Sequence, residues 1–348
     1  GARLAISGYD QDEFRENTFP QDPIQIPPGN FISATDDYRG RESTDARLTL
    51  TWQATDDFYA KAKVYYGEYE DDGPSSNAEV TCPQGRMLET DTIFTWPSAF
   101  ADCDADEKLA IPNISEVFLP DPSYSTWGDW NNGKPYSDQE TTLGSLQLDW
   151  AVTDTIDLTS ITAYLDLEND TLEVYDYAWG NGGSHAFNSY EMFSQEFRLE
   201  TAFDGPLNYS AGVYYADIEQ EFITGQNAVN IGIAAPDPIT GNRYDWDKEH
   251  YTDTESWSAF GAVYWDITDR LTLTAGARYS EDDKDGSIRI PFMHGILVGS
   301  GFLPSGTVIK DGLDFDDDEW TPEVSLNWAY TDDINFFVAY KTGYTSGG

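Results

Sequence analysis

The sequence predicts an all-β protein, an antiparallel transmembrane β-barrel. Three observations predict it: a turn phrase that recurs, period-two alternation on either side of each copy, and aromatic residues at the strand ends. The phrase Trp-x-x-Thr-Asp-x-apolar occurs four times, from Trp52 to Phe58, Trp150 to Ile156, Trp265 to Leu271 and Trp328 to Ile334. Thr and Asp bond their own local backbone and favour tight turns. The Trp before each turn and the apolar residue after it sit where an aromatic belt would meet a membrane interface. A fifth turn, Phe203-Asp204-Gly205-Pro206-Leu207, does the same job with different chemistry.

The flanks carry the second half of the argument. Leu48, Leu50 and Trp52 alternate with Thr49 and Thr51, and after the turn Phe58, Ala60, Ala62, Val64 and Tyr66 alternate with Tyr59, Lys61, Lys63 and Tyr65. Leu271, Leu273, Ala275, Ala277 and Tyr279 repeat the pattern, as do Val324, Leu326 and Trp328, then Ile334, Phe336, Val338 and Tyr340. One face is apolar and the other suits water, as a barrel wall between lipid and lumen requires. A secreted sandwich or solenoid also alternates, but its strands are usually short, whereas here long-armed hairpins recur. Eleven strands are expected, at about 2–13, 44–53, 57–70, 140–151, 156–176, 188–202, 206–224, 251–266, 270–288, 314–329 and 333–344.

No composition shift divides the 348 residues, so 1–348 read as one sheet. The sequence opens inside a strand-like run and closes at Tyr340 to Gly348 in or at the rim of another. Bacterial single-chain barrels have even strand numbers, so an odd count argues for part of a larger barrel. Short turns mark the periplasmic side, and long connections at about 14–43, 71–139, 177–187, 225–250 and 289–313 mark the outside. The loop 71–139 is far longer than ordinary connections, which marks it as functional or disordered. It holds both cysteines, Cys82 and Cys103, and a disulfide between them is expected, closing a short loop in an oxidising compartment.

The net charge is −44, with 63 acids against 19 Lys and Arg, which excludes nucleic acid as a partner. Many acids cluster beside turns or in loops. Solvated loop charge is the plain reading, and Ca2+ binding at Asp282, Asp283, Asp316, Asp317 and Asp318 is the sharper one.

Several linked stretches resemble TonB-dependent outer-membrane receptors. They are Phe193 to Glu200 followed by Leu207 to Tyr215, Trp257 to Gly261 followed by Leu271 to Tyr279, and Trp320 to Leu326 followed by Tyr340 to Tyr344. The resemblance covers nearly the whole chain. It implies about half of a roughly 22-stranded barrel, with the N-terminal plug and the TonB box outside this sequence. It further implies a place in the outer membrane, contact with outer-membrane lipid, and import driven through TonB by the inner-membrane proton gradient.

No catalytic constellation is present. His185, His250 and His294 lie in or at the rim of predicted loops, and none sits beside a Ser or Cys in a nucleophile motif. No enzyme and no cofactor are therefore expected. For ligand contact the aromatic outer loops are the candidates: Tyr124, Trp127, Trp130 and Tyr136, then Tyr177, Trp179, His185 and Phe187. Packing of the loops against one another, or an outer aromatic girdle, is the competing role. Lumen-facing Lys61, Lys63, Arg198 and Arg278 either guide an anionic chelate or pair with inward acids such as Glu196 and Glu200. The expected cargo is a small-molecule ligand, a ferric siderophore complex or an oligosaccharide or other bulky neutral nutrient. A passive porin or adhesin barrel and a soluble carbohydrate-active protein are the other classes.

Overall fold

The computed structural model describes residues 1–12, 16–26, 30–34, 40–71, 104, 108–109, 112–114, 130–174, 183–227, 236–310 and 312–347. Eleven strands form one antiparallel meander: β1 (Ala2–Gln11), β5 (Arg41–Thr55), β6 (Phe58–Asp71), β8 (Tyr136–Thr153), β9 (Ile156–Val174), β10 (Gly183–Thr201), β11 (Leu207–Asn227), β12 (Trp246–Thr268), β13 (Leu271–Met293), β15 (Phe315–Ala329) and β16 (Asn335–Lys341). A twelfth strand, β14 (Thr307–Ile309), adds to the outer end of β13. The short strands β2 (Glu16–Asn17), β3 (Ile24–Ile26), β4 (Asn30–Ile32) and β7 (Lys108–Leu109) form two small side ladders, and α1 (Gly295–Gly299) is one short helix. The meander is not closed on itself: β1 and β16 are its two edges.

Each recurring phrase builds its turn the same way. The hydroxyls of Thr55, Thr153, Thr268 and Thr331 each accept the backbone N–H two residues on. In the first three copies a register shift falls immediately before that Thr, a bulge that tightens the hairpin. The fifth turn uses an amide instead, with Asn208 accepting from Phe203 N and donating to Phe203 O.

Register confirms the alternation. Leu48 lies opposite Val64, Val263 opposite Ala275, and Leu273 opposite Leu326, which in turn faces Val338. Thr272 pairs with Asn327, Thr274 with Ser325 and Arg278 with Thr321 on the other face. A slip of one residue would exchange the faces, so the buried-in-lipid pattern fixes the pairing. Two aromatic rows bound the apolar face. Trp52, Trp150, Trp265 and Trp328 lie near the short turns, while Tyr164, Tyr215, Trp257, Tyr279 and Trp320 form the upper row. Tyr279 touches both Trp257 and Trp320, with ring centroids 5.3 and 5.2 Å apart. From Trp265 to Trp257 is 8 residues, or about 20 Å along the axis at ~3.3 Å per residue and a tilt of ~40°. That approximates the apolar band of an outer-membrane barrel.

The strands run well past it. The 23 residues of β12 rise about 58 Å on the same geometry, so its outer half stands beyond the membrane. This is also where the ladders exceed the sequence expectation, starting at Arg41, Tyr136, Gly183 and Trp246. There the hydropathy cue for a strand is gone but backbone pairing continues.

Candidate functional site

The outward face turns from apolar to acidic at the upper aromatic row. On β9 the outward positions read Leu158, Ser160, Thr162 and Tyr164, and then Asp166, Glu168 and Asp170. On β11 they read Leu207, Tyr209, Ala211, Val213 and Tyr215, and then Asp217, Glu219 and Glu221. Over the same outer stretch the lumen side carries uncharged side chains, mostly Ser, Thr, Asn and Gln with a short apolar row among them. Leu143, Leu165, Met192 and Ile218 lie in one cross-strand row over β8 to β11, with Leu167 and Tyr190 in the next. Backbone pairing persists while the outward positions turn acidic, because outside the bilayer the outward face meets water and acids suit it. Sequence reading missed this turn to acids, although the switch after Tyr164, Phe193 and Tyr215 was there to follow.

Below that level the lumen face is charged and internally matched. Arg198 pairs with Glu196 and Lys341 with Glu323 at 2.8 Å. The Arg278 guanidinium lies over Tyr214 at 5.6 Å and Phe260 at 5.7 Å, and donates to Ser280 Oγ. A cavity of 410 Å³ opens here, lined by Arg198, Phe260, Arg278, Thr321, Glu323 and Lys341. Lys61 and Lys63 share this face, opposite Thr51 and Thr49. Matching of inward cations by acids and rings is thus what the structure shows for Arg198 and Arg278.

Of the loop candidates, three come together. Trp130 stacks on His185 at 5.9 Å, and the carboxylate of Asp170 is shared by His185 Nε2 at 2.7 Å and the Tyr136 hydroxyl at 2.8 Å. Trp130 also meets Tyr244 at 6.1 Å, and Tyr244 packs on Phe292 and donates to Asp247 at 2.9 Å. Trp130 and His185 are buried, so here they pack the outer loops onto the strands. Trp130, Asn131 and Asn132 all have positive φ, a conformation Asn tolerates through local hydrogen bonds such as Asn131 Nδ2 to the Lys134 carbonyl, whereas for Trp130 it costs roughly 1–2 kcal/mol. Tyr124, Trp127, Tyr177, Trp179, Cys82 and Cys103 lie outside the described residues.

Two carboxylates at this outer end are tuned in opposite directions. Asp247 stands 10 residues above Trp257, about 25 Å beyond the upper girdle. Burial pushes its carboxyl up to about 7, the Tyr244 hydroxyl opposes the shift, and neighbouring Glu249 adds to it. Burial acts upward on Asp237 as well, but the backbone N–H groups of Thr240, Gly295 and Ile239 and the Thr240 hydroxyl outweigh it and hold this carboxyl below the usual range. Asp237 thereby ties the 236–245 loop to the start of α1, with Gly295 N at 2.8 Å.

The acids considered for Ca2+ are divided by the alternation. Asp282 faces Asp317 on the lumen side, while Asp283 faces Asp316, and Asp318 faces Glu281, on the outer side. Among the described residues no group of three or more His, Cys, Asp or Glu side chains is placed to hold a metal ion.

No curated protein matches the sequence. Solved structures share the fold: the ferric yersiniabactin uptake receptor FyuA from Yersinia pestis (TM-score 0.63, 15% identity, 99% of this chain and 43% of that one), and the siderophore receptor PiuA from Acinetobacter baumannii (0.57, 14%, 98% and 44%). The ferric-catecholate import receptor Fiu from E. coli K12 is a third (0.56, 13%, 98% and 49%). The chain spans less than half the length of each. Residues 91–348 match the family model described as TonB dependent receptor-like, beta-barrel. With the open meander, the paired girdles and the charge-matched lumen, that match makes this chain the partial β-barrel of an outer-membrane TonB-dependent receptor.

Proposed function

We propose that the protein of which this barrel is a part imports a large, scarce nutrient across the outer membrane, with energy delivered through TonB. The observation that carries the reading is the open eleven-strand meander with a polar, charge-matched lumen. A barrel completed from such a sheet is wide enough to leak unless plugged, so transport that opens only with work is the physically sensible use. Structural neighbours described as siderophore receptors support a ferric siderophore as cargo. The net charge of −44 supports instead a bulky neutral nutrient, such as an oligosaccharide, since it opposes a polyanionic chelate. Deleting the complete gene should impair growth only when one such nutrient is limiting, and uptake should vanish without TonB or the proton gradient. Uptake that persists without TonB would place the protein among passive porins.

A further inference from the structure

The lipid-facing side of β8, β9 and β10 carries a groove of 520 Å³. Leu148 and Trp150 on β8 form one wall, Phe197 and Leu199 on β10 the other, and Leu158 and Ser160 on β9 the floor. Trp150, Phe197 and Leu199 stand exposed, while the two floor residues are half-buried. The wall strands are two ladder spacings apart, about 10 Å, so the channel is one strand wide. At its upper end the apolar face is interrupted by a hydrogen-bonded triad. The Gln195 amide donates to Ser160 Oγ and to the backbone carbonyl of Glu196, both at 3.0 Å, and accepts from the Thr162 hydroxyl at 2.6 Å. All three side chains occupy outward positions, in line with Leu158, Tyr164 and Phe197. Thr162 lies two residues below Tyr164 of the upper girdle, about 5 Å into the hydrocarbon.

We propose that the groove binds one acyl chain of an outer-leaflet lipid, and that the triad selects a chain carrying a hydroxyl near its head. Only the position of this face in lipid is required, whatever the barrel transports. Polar side chains facing hydrocarbon must find partners among themselves or in the membrane. The Glu196 carbonyl fixes which end of the Gln195 amide is nitrogen, and both of its N–H groups are then engaged. What remains is the Ser160 hydroxyl hydrogen, which has no acceptor among the described residues, and a second lone pair on Gln195 Oε1. A hydroxyl both donates and accepts, so it satisfies the two together. An ester carbonyl only accepts and leaves one of them unmet. The depth agrees, since the girdle marks the interface and the chains of the outer leaflet begin just beneath it. Below the triad the floor continues from Thr162 to Leu158, four residues or about 10 Å. A helix with its side chains is about 10–12 Å across and does not enter a channel one strand wide.

The complete transporter, freed of lipid in detergent, is titrated by native mass spectrometry with a phosphatidylethanolamine bearing 3-hydroxymyristoyl chains and with its plain myristoyl counterpart. The first lipid bound should be held about tenfold more tightly in the hydroxylated form. Gln195→Leu should make the two affinities equal. Ala211→Phe and Leu158→Trp, which fill the groove from two lining positions, should each remove this first step, whereas Ala275→Phe on the lipid face of β13 should keep it. Heat-modifiable gel mobility shows which variants are folded, and either filling variant suffices. Equal affinities in the unsubstituted protein would overturn the proposal, as would a folded filling variant that binds both lipids as the parent does. Gain of a second copy's mass in place of a lipid would assign the groove to a protein partner and overturn it as well.

Discussion

Val324 lies four residues from Trp328 and four from Trp320, about 10 Å from each girdle on a tilted strand, and therefore at mid-membrane. It is 44% exposed, on the face of Ala275 and Tyr340, whereas Ser325 lies opposite Thr274 and Ala339 on the lumen side. Val324→Arg places a guanidinium in hydrocarbon and should cost ~2–4 kcal/mol, a roughly 30- to 1,000-fold loss in the folding equilibrium. Ser325→Arg adds the same group where water reaches it and Glu323 is a neighbour on the same face, so it should cost less than ~1 kcal/mol. Urea titration of the complete protein in phospholipid vesicles, read by heat-modifiable gel mobility, measures both. Equal costs, or a larger one for Ser325→Arg, would refute the assignment of faces on which the whole description of lumen and membrane depends.

Gly225→Ala should unpack the outer end, because the new Cβ would sit 2.6 Å from the Trp130 ring and 2.7 Å from Asp247 Oδ1. Overpacking of that kind costs ~1–3 kcal/mol, and faster hydrogen exchange around Trp130 and Tyr244 with unchanged gel mobility is the expected result. Raising the pH should loosen the same packing: an Asp whose folded pKa is raised contributes fully below its unfolded value near 4 and loses that contribution as pH climbs through about 7. Asp247→Asn should make the protection factors, each rate taken relative to the intrinsic exchange rate at that pH, independent of pH across that window, and an unchanged pH profile of protection would exclude Asp247 as the cause. Asp237→Ala should free the 236–245 loop from α1, since four hydrogen bonds to its carboxylate are lost, visible as exchange at Gly295 and Thr240. Cys82 and Cys103 should be bonded in outer-membrane material; two free thiols by mass under non-reducing conditions would contradict this.

The sequence by itself determined the strands within the membrane, their register and their turns. Each rests on local chemistry: a Thr hydroxyl two residues from its donor, a Trp at an interface, and apolar residues every second position with no intermediate choice of face. It also identified Arg198 and Glu196 as lumen neighbours, because residues two apart on a strand share a side. Only the tertiary structure decided what lies beyond the membrane. Leu165 and Ile218, 53 residues apart, become part of one row only when β9, β10 and β11 align. Trp130 and His185, named from composition as ligand contacts, turn out to be packed against each other and against Tyr136 through Asp170. Asp282 and Asp283, adjacent in sequence, end on opposite sides of the sheet. In each case the deciding contact is made between segments whose separation along the chain carries no periodic signal, whereas the lipid-facing pattern is imposed by a solvent that every strand meets at the same depth.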